Sequence, residues 1–339
     1  MNQEIDRPQV AVIILNWNGR KLLKEFLPSV VRFTPRPLAR VIVADNGSND
    51  GSLELLVSDF PEVEVMRFPE NYGFAGGYNK ALAQVSEPYT VLLNSDVEVK
   101  DDWLTPLYDY MQSHPDVGAC QPKIRAYRHP EKFEYAGAAG GYIDRNGFPY
   151  CRGRIFNEVE TDRGQYDEPA EVFWATGAAL MVRTEVYNAL GGLDTQFFAH
   201  MEEIDLCWRM QLAGWKIAAV PQGVVYHLGG GSLDASNPRK TYLNFRNNLL
   251  MLYKNLPDSS RGRTLLKRRL LDTVAWAKFL ATGHFGDAKA ILKAHNDFRT
   301  MRRAYKSFPS DDLLHTSPSR PNILLQFFLR GRKTFSQLG

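Results

Sequence analysis

Acidic and amide side chains form three short clusters in this chain. Asp45-Asn46-Gly47-Ser48 follows the apolar run VIVA, Asn94-Ser95-Asp96 follows YTVLL, and Glu202-Glu203-Ile204-Asp205 opens a segment of helical length. A carboxylate in the first cluster can accept hydrogen bonds from a ribose or a nucleobase. Asp96 suits Mg²⁺ or Mn²⁺, which takes one or two protein oxygens and leaves the rest to phosphates and water. These two clusters predict a nucleoside diphosphate held through a divalent cation.

The third cluster predicts a general base. Neighbouring carboxylates raise one another's pKa, and a carboxylate tuned in this way can take a proton from a sugar hydroxyl. Each cluster also has an ordinary explanation that the residues leave open. Ser48 or Asp50 can cap a helix, Asp96 can cap a helix that begins near Asp101, and acids favour helix N-termini through the macrodipole.

Two further polar segments allow two readings each. The glycines of ENYGFAGGYN (70–79) do not follow the G-x-G-x-x-G spacing, so a nicotinamide-dependent dehydrogenase is not expected. They either bring a helix N-terminus close to a ligand, with Asn71 and Asn79 contacting a nucleobase or sugar, or they serve helix packing. His227 ends a strand before a glycine run, where a lone histidine is more often structural than catalytic.

The clusters follow an alternation of strands and helices in the first hundred residues. Strands are predicted at 10–16, 41–44, 63–67 and 89–93, and helices at 20–33, 51–59 and 73–86. This alternation predicts a parallel sheet covered on both faces, whose ligands bind beyond the carboxyl ends of the strands. Mixed strands are expected after about residue 117, and a helix from Glu202 to a glycine cap at Gly214.

Charge is unevenly divided along the chain. Residues 1–238 contain 21 Lys and Arg against 32 Asp and Glu, whereas residues 239–339 contain 20 against 6. Basic helices are predicted across 240–306, and one of them carries an apolar side formed by Leu266, Leu270, Val274 and Ala277. Such a region is expected to meet a membrane surface, a polyphosphate or nucleic acid. Packing on the core or dimer formation is the alternative.

Composition favours a cytoplasmic protein. The three cysteines have no paired spacing, which argues against a disulfide framework and against a cysteine zinc site. The N-terminal residues lack the apolar core of a signal peptide, and no run approaches the roughly 18 apolar residues that span a bilayer. A soluble or peripheral protein is therefore expected.

Six motifs in order resemble the family 2 inverting glycosyltransferases of the GT-A fold, particularly rhamnosyltransferase-like bacterial enzymes of cell-surface polysaccharide synthesis. They are VIILNWNG (12–19), VIVADNGSNDGS (41–52), ENYGFAGGYN (70–79), VLLNSDVE (91–98), ATGAALMVRTEVYNALGGLDTQFFAHMEEIDLCWRMQLAGW (175–215) and VVYHLGGGS (224–232). The resemblance covers about residues 9–256. It implies a Rossmann-like mixed sheet flanked by helices, followed by a C-terminal helical extension.

The resemblance also implies roles for residues of the nucleotide site. Asn16 and Asn18 would line the nucleotide pocket, and Asp45 would bind a uracil or thymine base. Asp50 would support the turn that carries Asp45. These assignments agree with the prediction of a nucleotide site drawn from the polar clusters.

The metal site and the catalytic base are implied in the same way. Asp96 matches the aspartate that ends the family's DxD motif, whose first position is Asn94 in this chain. His227 matches a histidine that completes the metal site in some members. Glu203 matches the catalytic base of the Glu-Asp-x-Asp pattern, with Glu202 as the alternative.

The resemblance implies transfer of a sugar from dTDP-rhamnose or a UDP-hexose to a glycan or a polyprenyl-diphosphate-linked acceptor, with inversion. Glu203 would deprotonate the acceptor hydroxyl, and a cation at Asp96 would stabilise charge on the leaving diphosphate. Residues 1–238 are expected to form the catalytic domain, with a nucleotide-binding half at about 9–100 and an acceptor half at about 101–238. The basic helical region 239–339 would contact the anionic inner face of the plasma membrane.

Two other classes of protein fit the residues less well. A nucleotidyltransferase would normally show a basic glycine-rich triphosphate loop early in the chain, and NWNGR does not resemble one. A non-catalytic protein that binds glycan or nucleic acid through the basic region would have no use for the acids around Glu202. No nucleic-acid partner is therefore expected.

Overall fold

The computed structural model of the chain describes residues 7–229, 237–316 and 320–338. The last three residues of the sixth motif, 230–232, and the N-terminal residues 1–6 lie outside the described residues. The strands are β1 (Val10–Asn16), β2 (Ala39–Asn46), β3 (Glu64–Phe68), β4 (Tyr89–Leu93), β5 (Val97–Val99), β6 (Val117–Ala126), β7 (Gly141–Ile143), β8 (Pro149–Cys151), β9 (Arg154–Ile155), β10 (Glu158–Val159), β11 (Ala170–Val172), β12 (Ala179–Arg183) and β13 (Lys216–His227). The α-helices are α1 (Arg20–Phe33), α2 (Ser52–Asp59), α3 (Gly73–Leu82), α4 (Thr105–Ser113), α5 (Thr184–Ala189), α6 (Glu202–Leu212), α7 (Pro238–Asn255), α8 (Asp258–Ala281) and α9 (Phe285–Met301).

Within the described ranges, nine strands form one mixed sheet. Its order is β11-β13-β6-β12-β4-β1-β2-β3, and β5 pairs with β13 outside this path. The strands β3, β2, β1 and β4 are parallel, whereas β12 runs antiparallel to both β4 and β6. The short strands β7 to β10 form a second antiparallel sheet. The predicted mixed sheet with flanking helices is confirmed.

Alternating side chains of β1 enter two hydrophobic cores, because successive residues of a strand point to opposite faces of the sheet. Val12 and Ile14 pack with the α1 face that carries Leu23 and Leu27, while Ile13 packs on the α3 side. A strand buried on both faces is a continuous apolar run. This arrangement explains why VAVIIL contains no polar position.

The helix α6 ends as the sequence predicts. Gly214 adopts φ +91° directly after the last turn, and Trp215 N donates a hydrogen bond to Met210 O over 3.0 Å. A left-handed residue at this position is typical of a glycine-capped helix C-terminus. The chain can therefore turn from α6 into the long strand β13.

The C-terminal helices are of two kinds. Leu250 and Leu252 of α7 and Phe298 of α9 belong to the main hydrophobic core. The division at residue 238 coincides with the start of α7, and the domain assignment remains a prediction.

The helix α8 has the opposite pattern. It buries the polar residues Thr264, Arg268 and Asp272, whereas Leu266, Leu270 and Val274 are 61%, 63% and 68% exposed. The apolar side predicted from the sequence therefore does not pack on the core. Among the described helices, none is both long and apolar enough to cross a bilayer.

Candidate active site

The carboxyl ends of β1 and β2 bring the first predicted nucleotide residues together. Asn16 lies beside Asp45 in the parallel register, and its Nδ2 donates hydrogen bonds to Asp45 Oδ1 (3.0 Å) and Ser48 Oγ (3.1 Å). Ser48 N in turn donates to Asp45 Oδ2 over 3.1 Å. Both residues at the strand ends are buried. The fold thus fixes the Asp45 carboxylate before any ligand arrives.

Asn18 and Asp50 join the loop after β1 to the loop after β2. Asn49 N donates to Asn18 Oδ1 and Arg20 N donates to Asp50 Oδ2, each over 2.9 Å. Burial disfavours the charge on Asp50, but hydrogen bonds from Ser52 and from the Arg20 backbone outweigh it and lower the Asp50 pKa. The two side chains therefore hold the loops together.

Between these two loops, Trp17 directly follows β1 and is 57% exposed. A large exposed aromatic ring at the end of a central strand is unusual, and such a ring can stack on a planar group. We did not single out Trp17 from the sequence. The signal was present in the motif NWN, where a tryptophan stands between two polar residues.

Asn71 and Asn79 lie in different surroundings. Asn71 Oδ1 accepts hydrogen bonds from Gly73 N (2.8 Å) and Asn46 Nδ2 (3.0 Å), which places it at the end of β2. Asn79 lies further along α3 and holds the chain near Leu193, donating to Leu193 O over 2.8 Å and accepting from the Tyr187 hydroxyl. Asn79 thus has a packing role, and its contact with a ligand remains a prediction.

The metal candidates Asp96 and His227 meet at the junction of β5 and β13. His227 Nε2 lies 3.1 Å from Asp96 Oδ1 and 3.3 Å from Asn94 Nδ2, and all three residues are wholly or largely removed from solvent. On the other side of the ring, His227 Nδ1 lies 3.5 Å from Glu134 Oε2. Burial disfavours the imidazolium, but Asp96 and Glu134 outweigh it and raise the His227 pKa to about 10.

This arrangement fits a divalent cation with few protein ligands. In the part of the chain that the structure describes, no group of three or more His, Cys, Asp and Glu converges on one point. One carboxylate and one imidazole do converge. Without a metal, the raised pKa keeps a proton on His227, so a cation would have to displace that proton, because only the neutral imidazole binds a metal. Mg²⁺ or Mn²⁺ can complete its shell with phosphate oxygens and water. Glu134 lies behind the ring, where a carboxylate commonly orients a metal-binding histidine, and its Oε2 is near His227 Nδ1 without forming a hydrogen bond. Sequence reasoning missed Glu134, because it lies alone in a loop between β6 and β7.

The three acids at the start of α6 have three different surroundings. Asp205 is fully buried and paired with Arg209 (2.8 Å), Lys254 (2.9 Å) and Asn255 (2.7 Å). Burial raises its pKa, but the charges of Arg209 and Lys254 outweigh burial and lower it. Asp205 therefore anchors α6 to α7 and is already fully engaged by the protein.

Glu202 and Glu203 have no such partners. Each has a buried Oε2 atom without a hydrogen-bond partner among the described residues, and burial raises the pKa of both carboxyl groups. Glu202 is 4% exposed, and its pKa is raised further by the charge of Glu203. Glu203 is partly exposed, and its pKa is raised to about 7. Of the two, Glu203 is better placed to meet a substrate.

The loop before β12 lies between Glu203 and the end of β4. A Cβ atom placed on Gly177 would lie 3.7 Å from Glu203 Cβ, and the next residue, Ala178, accepts a hydrogen bond from Asn94 N over 3.0 Å. One loop therefore lies between the candidate base and the candidate metal cluster.

The sequence profile of glycosyl transferase family 2 matches residues 11–191, which is more than half of the chain. The chain belongs to this family. This confirms the predicted family. A further relative is the N-acetylglucosaminyl-diphospho-decaprenol L-rhamnosyltransferase of Mycobacterium tuberculosis, which is 29% identical over 233 residues, covering 64% of this chain and 75% of the relative.

Two solved glycosyltransferase structures superpose on this chain. GalNAc-T7, solved with UDP, GalNAc and Mn²⁺, superposes with a TM-score of 0.58 at 18% identity, over 75% of this chain and 49% of that one. The mannosyltransferase PcManGT of Pyrobaculum calidifontis, solved with GDP-Man and Mn²⁺, superposes with a TM-score of 0.52 at 16% identity, over 88% and 84%. These similarities confirm the predicted GT-A fold.

The glycosyltransferase holds the loop before Glu202 in an uncommon conformation. Phe198, His200 and Met201 all have positive φ, at 66°, 70° and 74°, which is uncommon for residues other than glycine. Asn247 of α7 is buried, and its Nδ2 lies 2.9 Å from Phe197 O and 2.7 Å from His200 O. Sequence reasoning missed Asn247, because it lies in a helix beyond the motifs.

Arg154 of β9 is a further residue of the glycosyltransferase that the sequence did not indicate. It is 7% exposed, and its guanidinium contacts Cys151 Sγ (3.2 Å) and lies 4.5 Å from the Tyr135 ring. Its Nε has no hydrogen-bond partner and its guanidinium no carboxylate within 4 Å among the described residues. Burial raises the pKa of the Cys151 thiol beside it, and the Arg154 charge opposes that rise.

Proposed function

We propose that this glycosyltransferase transfers a sugar from a nucleoside-diphosphate sugar to an acceptor hydroxyl with inversion at the anomeric carbon. The observation that carries the proposal is the single loop between Glu203 and the Asn94–Asp96 cluster. A base for the acceptor and a site for the leaving diphosphate on either side of a sugar suit an in-line displacement.

In the proposed reaction, Glu203 takes the proton of the acceptor hydroxyl. The acceptor oxygen forms its bond to the anomeric carbon while the bond from that carbon to the diphosphate oxygen breaks. A pKa of about 7 suits this role, because a general base works best when its pKa lies near the working pH. The unpartnered Oε2 of Glu203 is free to accept that proton.

Asp96 and His227 are the proposed protein ligands of the divalent cation, and Glu134 orients the histidine. When bound, the cation would stabilise the negative charge that develops on the leaving diphosphate. GalNAc-T7 and PcManGT were both solved with Mn²⁺, which supports Mn²⁺ or Mg²⁺ as the ion in this chain.

The donor is proposed to be dTDP-rhamnose, with a UDP-hexose as the second candidate. The M. tuberculosis relative is an L-rhamnosyltransferase, and GalNAc-T7 was solved with UDP. Thymine and uracil present the same hydrogen-bonding groups to a carboxylate turn such as Asp45-Ser48. Asn16, Asn18 and Asp50 then serve to hold that turn in place.

The acceptor is proposed to be a glycan or a sugar linked to a polyprenyl diphosphate, in cell-surface polysaccharide synthesis. The name of the M. tuberculosis relative specifies an acceptor of this second kind. The excess of basic residues after position 238 further supports work at the anionic inner face of the plasma membrane.

The proposal is tested by measuring release of nucleoside diphosphate from dTDP-rhamnose, UDP-hexoses and GDP-mannose. The reactions contain polyprenyl-diphosphate-linked N-acetylglucosamine and either Mn²⁺ or EDTA. Asp96→Asn should abolish the metal-dependent release, whereas the matched variant Asp101→Asn, an exposed acid outside the site, should retain it. A product whose anomeric configuration matches that of the donor would contradict inversion. Absence of turnover with every donor would contradict the proposed activity.

A further inference from the structure

A basic pocket lies where α8, the turn between β7 and β8, and the C-terminal segment meet. Its volume is about 270 Å³, and its polar lining consists of Arg145, Arg263, Thr264, Lys267, His315 and Arg320. None of these residues belongs to the active site described above. Pockets for drug-sized ligands usually measure about 300–1,000 Å³. This one therefore suits a small anionic group better than a whole nucleotide sugar.

The positive charge of the pocket is not neutralised by the protein. Across the described ranges, no carboxylate forms an ion pair within 4 Å with Arg145, Arg263, Lys267 or Arg320, although nearby basic residues do form such pairs. Arg320 donates to Ile143 O over 3.2 Å, and its buried Nε has no partner among these residues.

Two carboxylates lie close to this pocket, and both are occupied by other groups. Asp312 lies 2.9 Å from His315 Nδ1. Asp144 is fully buried and accepts hydrogen bonds from Asn146 and from the backbone of Phe148. The remaining cations are therefore available to an anion from outside the chain.

The pocket lies beside the exposed apolar stripe of α8, which consists of Leu266, Leu270 and Val274. Residues three apart are neighbours on a helix surface, so Arg263 adjoins Leu266 and Lys267 adjoins Leu270. Side chains that are 61% to 68% exposed in a continuous stripe are uncommon on a surface that meets only water. Cationic and apolar groups are thus combined on one side of one helix.

We propose that this face of α8 lies on an anionic membrane, with the phosphate of a phospholipid head group in the basic pocket and the stripe among the lipid chains. Guanidinium groups suit phosphate, and a helix with an apolar stripe flanked by basic residues lies in the plane of the interface. The inference rests on the proposed function, because a lipid-linked acceptor would be found at a membrane. Binding of α8 to the membrane itself needs neither donor nor acceptor.

A second copy of the chain is a less suitable occupant. Across a two-fold axis the same patch would meet itself, and the unpaired cations would then face one another. A soluble phosphate would fill the pocket but would leave the stripe in water. A lipid satisfies both features together, because it joins a phosphate to hydrocarbon.

The test is sedimentation of the full chain with vesicles of phosphatidylglycerol and phosphatidylcholine, or of phosphatidylcholine alone. The pocket variant is Arg263→Gln/Lys267→Gln, and both of these residues are exposed. Its matched control, Arg269→Gln/Lys289→Gln, removes two exposed charges outside the pocket. We expect the pocket variant to bind anionic vesicles about 30-fold more weakly, since each of the two basic residues contributes about a factor of five near an anionic surface. The control should stay within about threefold of the parent chain.

A second variant, Leu270→Gln/Val274→Gln, tests the stripe and should weaken vesicle binding at unchanged net charge. Equal losses in the pocket variant and its control would overturn the pocket. A dimer that this stripe variant dissociates would assign the stripe to a second copy. If inorganic phosphate raised the Tm of the parent chain but not of the pocket variant, with vesicle binding equal in both, the site would be one for soluble phosphate. Sugar transfer to a soluble acceptor is measured in parallel, so failure of the membrane site and failure of the proposed activity are distinguished.

Discussion

Replacement of Glu203 by glutamine gives the sharpest test of the proposed chemistry. The amide keeps the shape of the carboxyl group but cannot take a proton from the acceptor hydroxyl. A positioned general base contributes about 10² to 10⁴ in rate, so kcat should fall by about that factor. The donor KM should change little, because the proposed nucleotide turn is held by Asp45 and Asn16 and not by Glu203.

The pH dependence of the reaction rate gives a second, independent test of Glu203. Glu203 acts as a base only when it is deprotonated, and burial raises its pKa to about 7. The rate should therefore rise with pH, from about a tenth of its maximum at pH 6 to about half at pH 7 and about nine tenths at pH 8. An unperturbed glutamate, with a pKa near 4.3, would give a flat profile over this range.

The assay is initial-rate release of nucleoside diphosphate at saturating acceptor, over pH 5.5 to 8.5, for the parent chain, Glu203→Gln and Glu202→Gln. Burial and the charge of Glu203 hold the pKa of Glu202 well above its ordinary value and so favour its neutral form, which an amide should replace with less than tenfold loss. A Glu203→Gln variant that retained its rate and the slope near pH 7 would refute the assignment. A larger loss in Glu202→Gln would transfer the role to Glu202.

Further predictions concern stability, metal and donor. Because the folded pKa of Glu202 is raised, its stabilising contribution is present below pH 4.5 and is lost as the pH rises; Glu202→Gln should therefore have a higher Tm than the parent at pH 8 and an equal Tm at pH 4, and equal values at both would contradict this. Asp205→Ala should lower the free energy of unfolding in urea by about 3–5 kcal/mol, since Arg209 and Asn255 lose a buried carboxylate partner and Lys254 keeps only Asp194, while the exposed Glu185→Ala should change it little. Asn94→Asp places a second carboxylate beside His227 and should lower the Mn²⁺ concentration for half-maximal rate; a higher requirement would argue against a cation there. Trp17→Ala should raise the donor KM by about 5- to 150-fold if the ring stacks on the base, and Trp17→Phe should restore most of it.

The first half of the fold could be predicted closely, because its local and global signals agree. The strand at 10–16 and the helix at 20–33 were predicted with the bounds that β1 and α1 have. VAVIIL is apolar at every position, and α1 repeats apolar residues with the period of a helix, so burial and periodicity indicate the same elements. Prediction was poorer where contacts are remote in sequence. The helix predicted at 73–86 ends at Leu82, and α4 begins at Thr105 and not near Asp101.

The helix α8 shows why periodicity alone does not tell which side of a helix faces the core. Its apolar residues repeat as expected, yet the buried side carries Arg268 and Asp272, which pair over 2.8 Å, and His295 of α9 completes the cluster. Partners for these charges come from other elements, and a single sequence does not reveal them. The pattern predicted an amphipathic helix correctly and left open what covers its apolar side.

The candidate site divides in the same way. Residues at strand ends, such as Asn16 and Asp45, were predictable because parallel strands align their carboxyl ends at one edge of the sheet. Glu134 and Asn247 were not, since each acts on a residue about fifty or more positions away, and neither lies in a motif. Each lies next to a candidate site residue or its loop. Glu134 lies behind the His227 ring, and Asn247 holds the loop that leads to Glu202.

The acids of α6 show how one turn of helix supplies three different groups. In sequence, Glu202, Glu203 and Asp205 share one explanation, attraction to a helix N-terminus. In the fold, the ammonium of Lys254 reaches Asp205 from α7 and makes it an anchor, while Glu202 is buried without a cation and burial raises its pKa well above the ordinary value. Glu203 lies between these extremes, partly exposed beside the loop at Gly177, with a pKa that permits both protonation states near neutral pH. Its suitability as a base therefore depends on burial of the carboxyl group, which raises the pKa, together with the partial exposure through which an acceptor hydroxyl can reach it.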